Sequence, residues 1–280
     1  MLNATFDSLT RAERQLANVL MKNYPVSGLC AITALAQSAE VSTPTVARLV
    51  HKLGFKGYAE FQAELRKELE EQISNPLTKH ARWSDNAPDT HILNRFADAA
   101  MDNLRQTLAL IDPGEFDETC KLLADAERQV FVLGGRITHP VAEYFCTHMQ
   151  VARDRVFPLS GRSAIWAHYL LGMRPGDLLV LFDIRRYEND ILKLAELAVE
   201  RDVQIILFTD QWGSPISRLA RRKFNCRVEV PSAWDSSAAI LVLVETLIAS
   251  VQSLTWEVTA ERMADLERIN STTRLFRKFK

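Results

Sequence analysis

Two short stretches of this sequence hold side chains whose types and spacing suit binding chemistry. The first is Ser42, Thr43, Thr45 and Arg48, followed by Lys52 and Lys56. Hydroxyls bond phosphates or bases, Arg takes guanine through paired donors, and Lys reaches backbone phosphate. The second is Gly134-Gly135-Arg136-Ile137-Thr138, with Arg185-Arg186 further along. A glycine turn onto a helix N-terminus offers free N–H groups to an anion. Arg grips carboxylate or phosphate through paired N–H donors. Ion pairs with Asp183 and Glu188 are the alternative use of those arginines, and both uses stay open at this point. A nicotinamide cofactor is set aside, because the turn lacks G-x-G-x-x-G with an acid about twenty residues on. Cys30, Cys120, Cys146 and Cys226 have no close pair spacing, and His139, His148 and His168 have no metal-ligand spacing. The expectation is no metal, no cofactor and no catalytic residue.

The elements that position these stretches follow from periodicity. The chain has 280 residues, 47% of them hydrophobic and 25% charged, with a net charge of −1. At roughly 100–200 residues per domain this suggests two domains. The first 56 residues carry six basic residues against three acidic ones, a net of +3. That local basic bias suits a module that touches phosphate.

Apolar residues at Leu9, Leu16, Val19 and Leu20 predict a helix over 9–23, with Thr10 and Glu13 as a capping box. A second helix is predicted over 29–38. A third runs from Ser42, its N-cap, with Pro44 in the first turn, to about Leu53, closed by Gly54. A fourth follows over 59–73. Two helices joined by a short turn match a helix-turn-helix, whose second helix enters the major groove.

Beyond a stretch over 74–90 with two prolines and many turn-forming residues, a helix is predicted over 91–110, broken at Asp112-Pro113-Gly114. Short unbroken apolar strands are then predicted at 130–134, 156–159, 177–182, 203–209 and 226–230. Helices alternate with them near 140–152, 163–171, 189–201, 215–221 and 235–254. That alternation indicates a parallel sheet covered on both faces, a flavodoxin-like layout.

The run VSTPTVARLVHKLGFKGYAEFQAEL, with LTRAERQLANVLMKN before it, resembles the N-terminal domain of the RpiR family of regulators. The matching features are Val41-Ser42, Thr45-Val46, Arg48, Lys52-Leu53-Gly54-Phe55, Lys56-Gly57-Tyr58 and Phe61, within about residues 5–75. Glu40 departs from the family's usual turn glycine. The order of elements from 130 to 250 resembles a SIS domain, which RpiR regulators pair with their helix-turn-helix. Thr138 holds the position of a ligand-binding serine in that family, and Thr209-Asp210 through Ser214-Pro215-Ile216 resembles its segment after the fourth strand. The family's Ser-x-Ser-Gly-x-Thr loop after the third strand is replaced here by Phe182-Asp183-Ile184-Arg185-Arg186-Tyr187-Glu188.

The expectations are therefore an all-α helix-turn-helix domain over 1–75, a linker over 76–90, and an α/β SIS-like sensing domain over 91–280. The sensing domain has a parallel five-stranded sheet. The expected activity is transcription regulation without catalysis. Ser42, Thr43, Thr45, Arg48, Lys52 and Lys56 face double-stranded DNA. Gly134, Gly135, Arg136, Thr138, Arg185 and Arg186 hold a small anionic effector, a phosphosugar or a sugar acid. Ser236, at the start of the long apolar helix, faces that pocket or a neighbouring subunit. A homodimer or homotetramer is expected, with the apolar helix near 238–251 as interface surface or as core. The cytoplasm, with no membrane partner, is the expected compartment. The rival reading is a sugar-phosphate isomerase, with His139 or Glu143 as its base.

Overall fold

The structure is a computed structural model that describes residues 9–22, 24–73 and 91–273. The predicted linker over 76–90 lies outside the described residues. The chain forms two compact units, Met1–Asn75 and Pro76–Lys280.

The first unit is all-helical: α1 (Arg11–Lys22), a 3-10 turn, α2 (Ile32–Ser38), α3 (Thr43–Lys52) and α4 (Tyr58–Ile73). The predicted capping box starts α1. Thr10 N donates to Glu13 Oε2 at 2.8 Å and Glu13 N donates to Thr10 Oγ1 at 3.4 Å. Leu16, Leu20, Leu35, Val46, Leu49 and Phe61 bury together as the core. Glu40 ends α2 in the left-handed region, at φ 51°. Glu40 N donates to Gln37 O and Val41 N to Ala36 O, a Schellman closure that turns the chain sharply into α3. A non-glycine residue there costs roughly 1 kcal/mol. Gly54, at φ 95°, closes α3 in the same way, with Phe55 N donating to Val50 O.

The second unit opens on α5 (Ile92–Leu110) and α6 (Pro113–Ala124). In sequence, Asp112-Pro113-Gly114 marks a helix break. It is also a start: Asp112 caps α6 by accepting from Glu115 N at 2.9 Å, and Pro113 sits in the first turn. The sheet follows as β1 (Val130–Gly134), α7 (His139–Ala152), β2 (Val156–Pro158), α8 (Trp166–Gly172), β3 (Leu178–Phe182), α9 (Asn189–Val199), β4 (Gln204–Asp210) and β5 (Arg222–Cys226). Then come α10 (Ala238–Leu254) and α11 (Trp256–Thr273). All strand pairs are parallel, in the order β2-β1-β3-β4-β5.

Alternate residues of the strands serve opposite faces. Val130, Val132, Leu178, Val180, Phe182 and Phe208 pack under α7 and α10. Phe131, Leu133, Leu179, Leu181, Ile205 and Leu207 pack under α8 and α9. A column of rings runs across the first face, with Phe182 and Phe208 stacked at 4.5 Å and Phe208 and Phe224 at 5.3 Å.

Two placements differ from the sequence reading. The fifth strand lies over Arg222–Cys226 and not over 226–230; beyond Cys226, 227–230 is irregular chain whose backbone α5 serves. Arg227 N donates to Thr107 Oγ1 at 2.9 Å, and Asn103 Nδ2 donates to Glu229 O at 2.7 Å. Those bonds stand in for a sheet ladder, so the apolar Val228 and Val230 bury without being strand. The predicted helix at 215–221 is a four-residue 3-10 turn, Pro215–Arg218. No single helix among the described residues is long and apolar enough to cross a membrane.

Candidate functional site

Helix α3 separates its residues by face. Val46, Leu49 and Val50 are buried. Pro44, Arg48 and His51 are exposed and Ala47 is half-buried, at the spacing that makes one outward stripe. Ser42 stands exposed at the N-cap position, but its hydroxyl does not bond back to the helix. It pairs with Thr45 Oγ1 at 2.9 Å, which also accepts from Arg48 Nη2 at 3.2 Å.

Thr45 itself is only 5% exposed. Expected to face outward, it lies one turn before Leu49 on the inward side, and its hydroxyl steadies Arg48 from beneath. Lys52 Nζ sits 3.2 Å from Glu13 Oε2 of α1. The Glu13 carboxyl is held below the usual range by the Thr10 N–H, against its burial and with help from Lys52. Thr43 is half-buried and Lys56 is exposed. Ala47 and His51 were missed in the sequence. Stepping three residues on and one back from Arg48 was the available signal.

In the second unit, the strand order reverses direction between β1 and β3, the switch point where open α/β sheets bind ligands. The loops after those strands meet there. Gly134 cannot carry a side chain, because a Cβ would lie 2.6 Å from Thr138 O and 2.7 Å from His139 N. Thr138 is buried, and its hydroxyl donates to Phe182 O at 2.6 Å; Gly135 N donates to the same oxygen at 2.9 Å. The hydroxyl expected to meet ligand thus ties the β1 loop to the end of β3. Arg136 N donates to Glu188 Oε1 at 2.6 Å, across the crevice.

The arginines do not converge as expected. Arg185 is drawn inward: its Nε lies 2.6 Å from Asp235 Oδ2, its Nη2 lies 3.3 Å from Glu229 Oε1, and its guanidinium stacks on Trp212 at 4.0 Å. Its side chain is 8% exposed. The ion-pair use, left open from sequence, is the one the structure shows, with Asp235 and Glu229 as partners in place of Asp183 and Glu188. Arg136 is exposed and stands over the Trp234 ring at 5.9 Å. Arg186 is exposed at φ 61°. Ser236 Oγ accepts from Ala238 N at 3.2 Å at the start of α10, so its hydroxyl serves the helix start.

Two buried carboxylates, Asp183 and Asp210, stand at the ends of β3 and β4. Asp210 accepts from Arg185 N, Tyr187 Oη, Trp212 N and Gly213 N, yet burial still raises its carboxyl. Asp183 accepts from Ser214 Oγ and, at 3.4 Å, from Glu188 N. Burial is the largest influence on Asp183 and pushes its carboxyl up to about 6. Beside the crevice, between β1, α7 and the end of β2, lies a cavity of ≈ 340 Å³ lined by His139, Glu143, Ser160, Gly161 and Tyr169 among others.

Comparison with known proteins bears on both units. Residues 1–72 match the helix-turn-helix domain of the rpiR family, and residues 122–250 match the SIS domain. The chain is 28% identical over 224 residues to the HTH-type transcriptional regulator HexR of Pseudomonas aeruginosa, covering 78% of this chain and 74% of that one. It is 24% identical to HexR of Escherichia coli over 84% of this chain and 78% of that one. In fold it is similar to the Vibrio vulnificus NanR protein complexed with ManNAc-6P, with a TM-score of 0.57, 21% identity and 97% of each chain covered. The sugar isomerase domain of an RpiR transcription factor from Sphaerobacter thermophilus is similar at the same TM-score and 21% identity, covering 63% of this chain and 97% of that one.

Proposed function

The chain belongs to the rpiR family of transcriptional regulators, with a helix-turn-helix joined to a SIS domain, and on that premise we propose that it reads operator DNA through α3 and is controlled by a phosphosugar-class effector in the crevice between β1 and β3. The carrying observation is the division of α3: its apolar side is buried while Arg48, steadied by Thr45, stands outward. Arg48 takes a guanine edge, Ser42 and Thr43 lie at the helix start for phosphate or base contacts, and Lys56 holds backbone phosphate. NanR, which shares the fold and binds ManNAc-6P, supports a sugar phosphate as the effector class. Gly134, Gly135, Arg136 and Thr138 form the turn that receives it, and Arg186, exposed on the loop after β3, is available to it. Arg185 shapes the crevice from behind through its pairs with Asp235 and Glu229. The regulator works in the cytoplasm as a homodimer or homotetramer, with 76–90 as linker between DNA-binding and sensing domains.

The test selects duplexes from a random pool with the full chain, then titrates phosphosugars into the complex. One enriched motif, released or tightened by a phosphosugar, is expected. No enrichment overturns the DNA reading. A sugar-phosphate isomerase is the second reading, favoured by one observation: both candidate bases, His139 and Glu143, line the same cavity. Aldose–ketose conversion by the purified protein, abolished by Glu143→Gln, would establish it.

A further inference from the structure

The crevice already contains an anion. Glu188 occupies the N-cap position of α9, yet its side chain makes no bond to that helix. It reaches across the crevice and places Oε1 2.6 Å from Arg136 N. The fit depends on glycine: a Cβ on Gly135 would stand 3.0 Å from that same oxygen. On the facing wall, the N-cap of α7 is Thr138, and it too gives its helix no side-chain bond, because its hydroxyl donates to Phe182 O. The carboxylate thus sits on the turn that leads into α7, and neither α7 nor α9 has a side-chain cap at its N-terminus. The partial positive end of α7 favours negative charge near this turn.

We propose that Glu188 is the specificity-determining residue of this crevice, an internal anion seated on the Arg136 N–H that an effector's phosphoryl group displaces. The inference rests on the effector reading above and narrows it. A phosphoryl group carries about −1.5 to −2 charge and three strong acceptor oxygens. It outcompetes a single carboxylate for the N–H groups of the turn. A sugar acid brings only a like carboxylate, and a neutral sugar brings no charge. The crevice thus selects sugar phosphates over sugar acids, although its arginines suit either. Displacement also removes a negative charge from beside Asp183, whose Oδ1 accepts from Glu188 N. The loop that carries Arg185 and Tyr187 stays tied to Asp210 while the Glu188 side chain is displaced.

The test uses the full chain and two variants, Glu188→Gln and Glu188→Ala, with inorganic phosphate as the probe in calorimetric titration. Gln retains an acceptor for Arg136 N and removes the charge, so folding is preserved; thermal melts verify both variants. Glu188→Gln is expected to bind phosphate about tenfold more tightly than wild type, which corresponds to ~1.4 kcal/mol, and Glu188→Ala at least as tightly. Hydrogen exchange at the Arg136 amide supplies a second readout. It quickens in Glu188→Ala and slows again when phosphate is added. Equal phosphate affinity in all three proteins, or weaker binding in the variants, overturns the role of Glu188 while leaving the crevice as effector site. Absence of binding by all three, together with no effect of glucose 6-phosphate on DNA binding, overturns the effector reading and this inference with it.

Discussion

Arg48 stands outward from α3 and shares its Nη2 hydrogen with Thr45 Oγ1, which in turn meets Ser42 Oγ. This chain holds the guanidinium before DNA arrives, so less freedom is lost on binding. Replacing Arg48 with Ala is expected to weaken the cognate operator by ~1–3 kcal/mol and to relax preference at one base position. Lys56→Ala is expected to weaken cognate and scrambled duplexes alike and to lower the salt slope by about 1. Anisotropy titrations across a salt series measure both, and an unaffected Arg48→Ala would mean that α3 does not read bases. A second residue-scale expectation concerns Asp183. Its carboxyl titrates at about 6 in the fold, against 3.8 in a free chain. Between those values the native state holds the extra proton, so this group's contribution to stability rises as pH falls through about 6 and levels off below about 4. Asp210 and Glu188 add to the effect by repulsion. The stability of Asp183→Asn relative to wild type should therefore be greatest above pH 6 and shrink on acidification. Urea midpoints at a series of pH values report this, and a pH-independent difference would show that Asp183 does not titrate there.

At the scale of the element, the turn from β1 into α7 is the most constrained piece of the sensing unit. Gly134 ends a fully buried strand, and the carbonyl of Thr138 and amide of His139 fold back over it. These are backbone atoms and cannot swing aside. Gly134→Ala is expected to cost ~1–3 kcal/mol by overpacking. Gly172→Ala is the matched control, since nothing lies within 4 Å of a Cβ there; it is expected to stay within about 0.5 kcal/mol of wild type or to gain slightly. A comparison of urea unfolding curves decides. A neutral Gly134→Ala would mean that the turn relaxes freely and holds no fixed ligand geometry.

At the scale of the molecule, a regulator that reads a two-fold operator presents two recognition helices about 34–36 Å apart. The apolar helix α10, expected as interface or core, is core: Ile240, Leu243, Val244, Leu247 and Val251 all pack under the sheet. An exposed apolar stretch begins at its last residue and runs into α11. Leu254, Trp256, Val258 and Ile269 are each more than half exposed. Meanwhile α11 is fastened to the body by polar bonds, Thr259 Oγ1 to Ala152 O and Arg262 to the carbonyls of Gln150 and Val151. A helix held by polar bonds while large apolar side chains face outward suits a self-association surface. The wild-type chain is expected to sediment as a dimer or larger at micromolar concentration, and Trp256→Asp with Val258→Asp to shift it towards monomer and weaken operator binding. A wild-type monomer with intact DNA binding would remove this surface from the proposal.

What the sequence by itself determined is what neighbouring residues decide among themselves. The capping box at Thr10 and Glu13, the closure at Gly54 and the burial of Val46, Leu49 and Val50 all depend on residues within about one or two helical turns. Strands β1, β3 and β4 were legible for a similar reason, since a strand buried on both faces is apolar at every position. Tertiary structure alone decided which partners the polar side chains took. Arg185 meets Glu229 and Asp235, Glu188 meets Arg136, and Lys52 meets Glu13, each across tens of residues. Such pairs have no period. They arise where loops converge at the end of a sheet or where two helices cross, and a charged side chain takes whichever partner lies within reach, an opposite charge or a backbone N–H. The loop after β3 therefore reads as two arginines available to an anion or to an ion pair, while the fold turns Arg185 inward onto carboxylates and seats Glu188 on the Arg136 N–H.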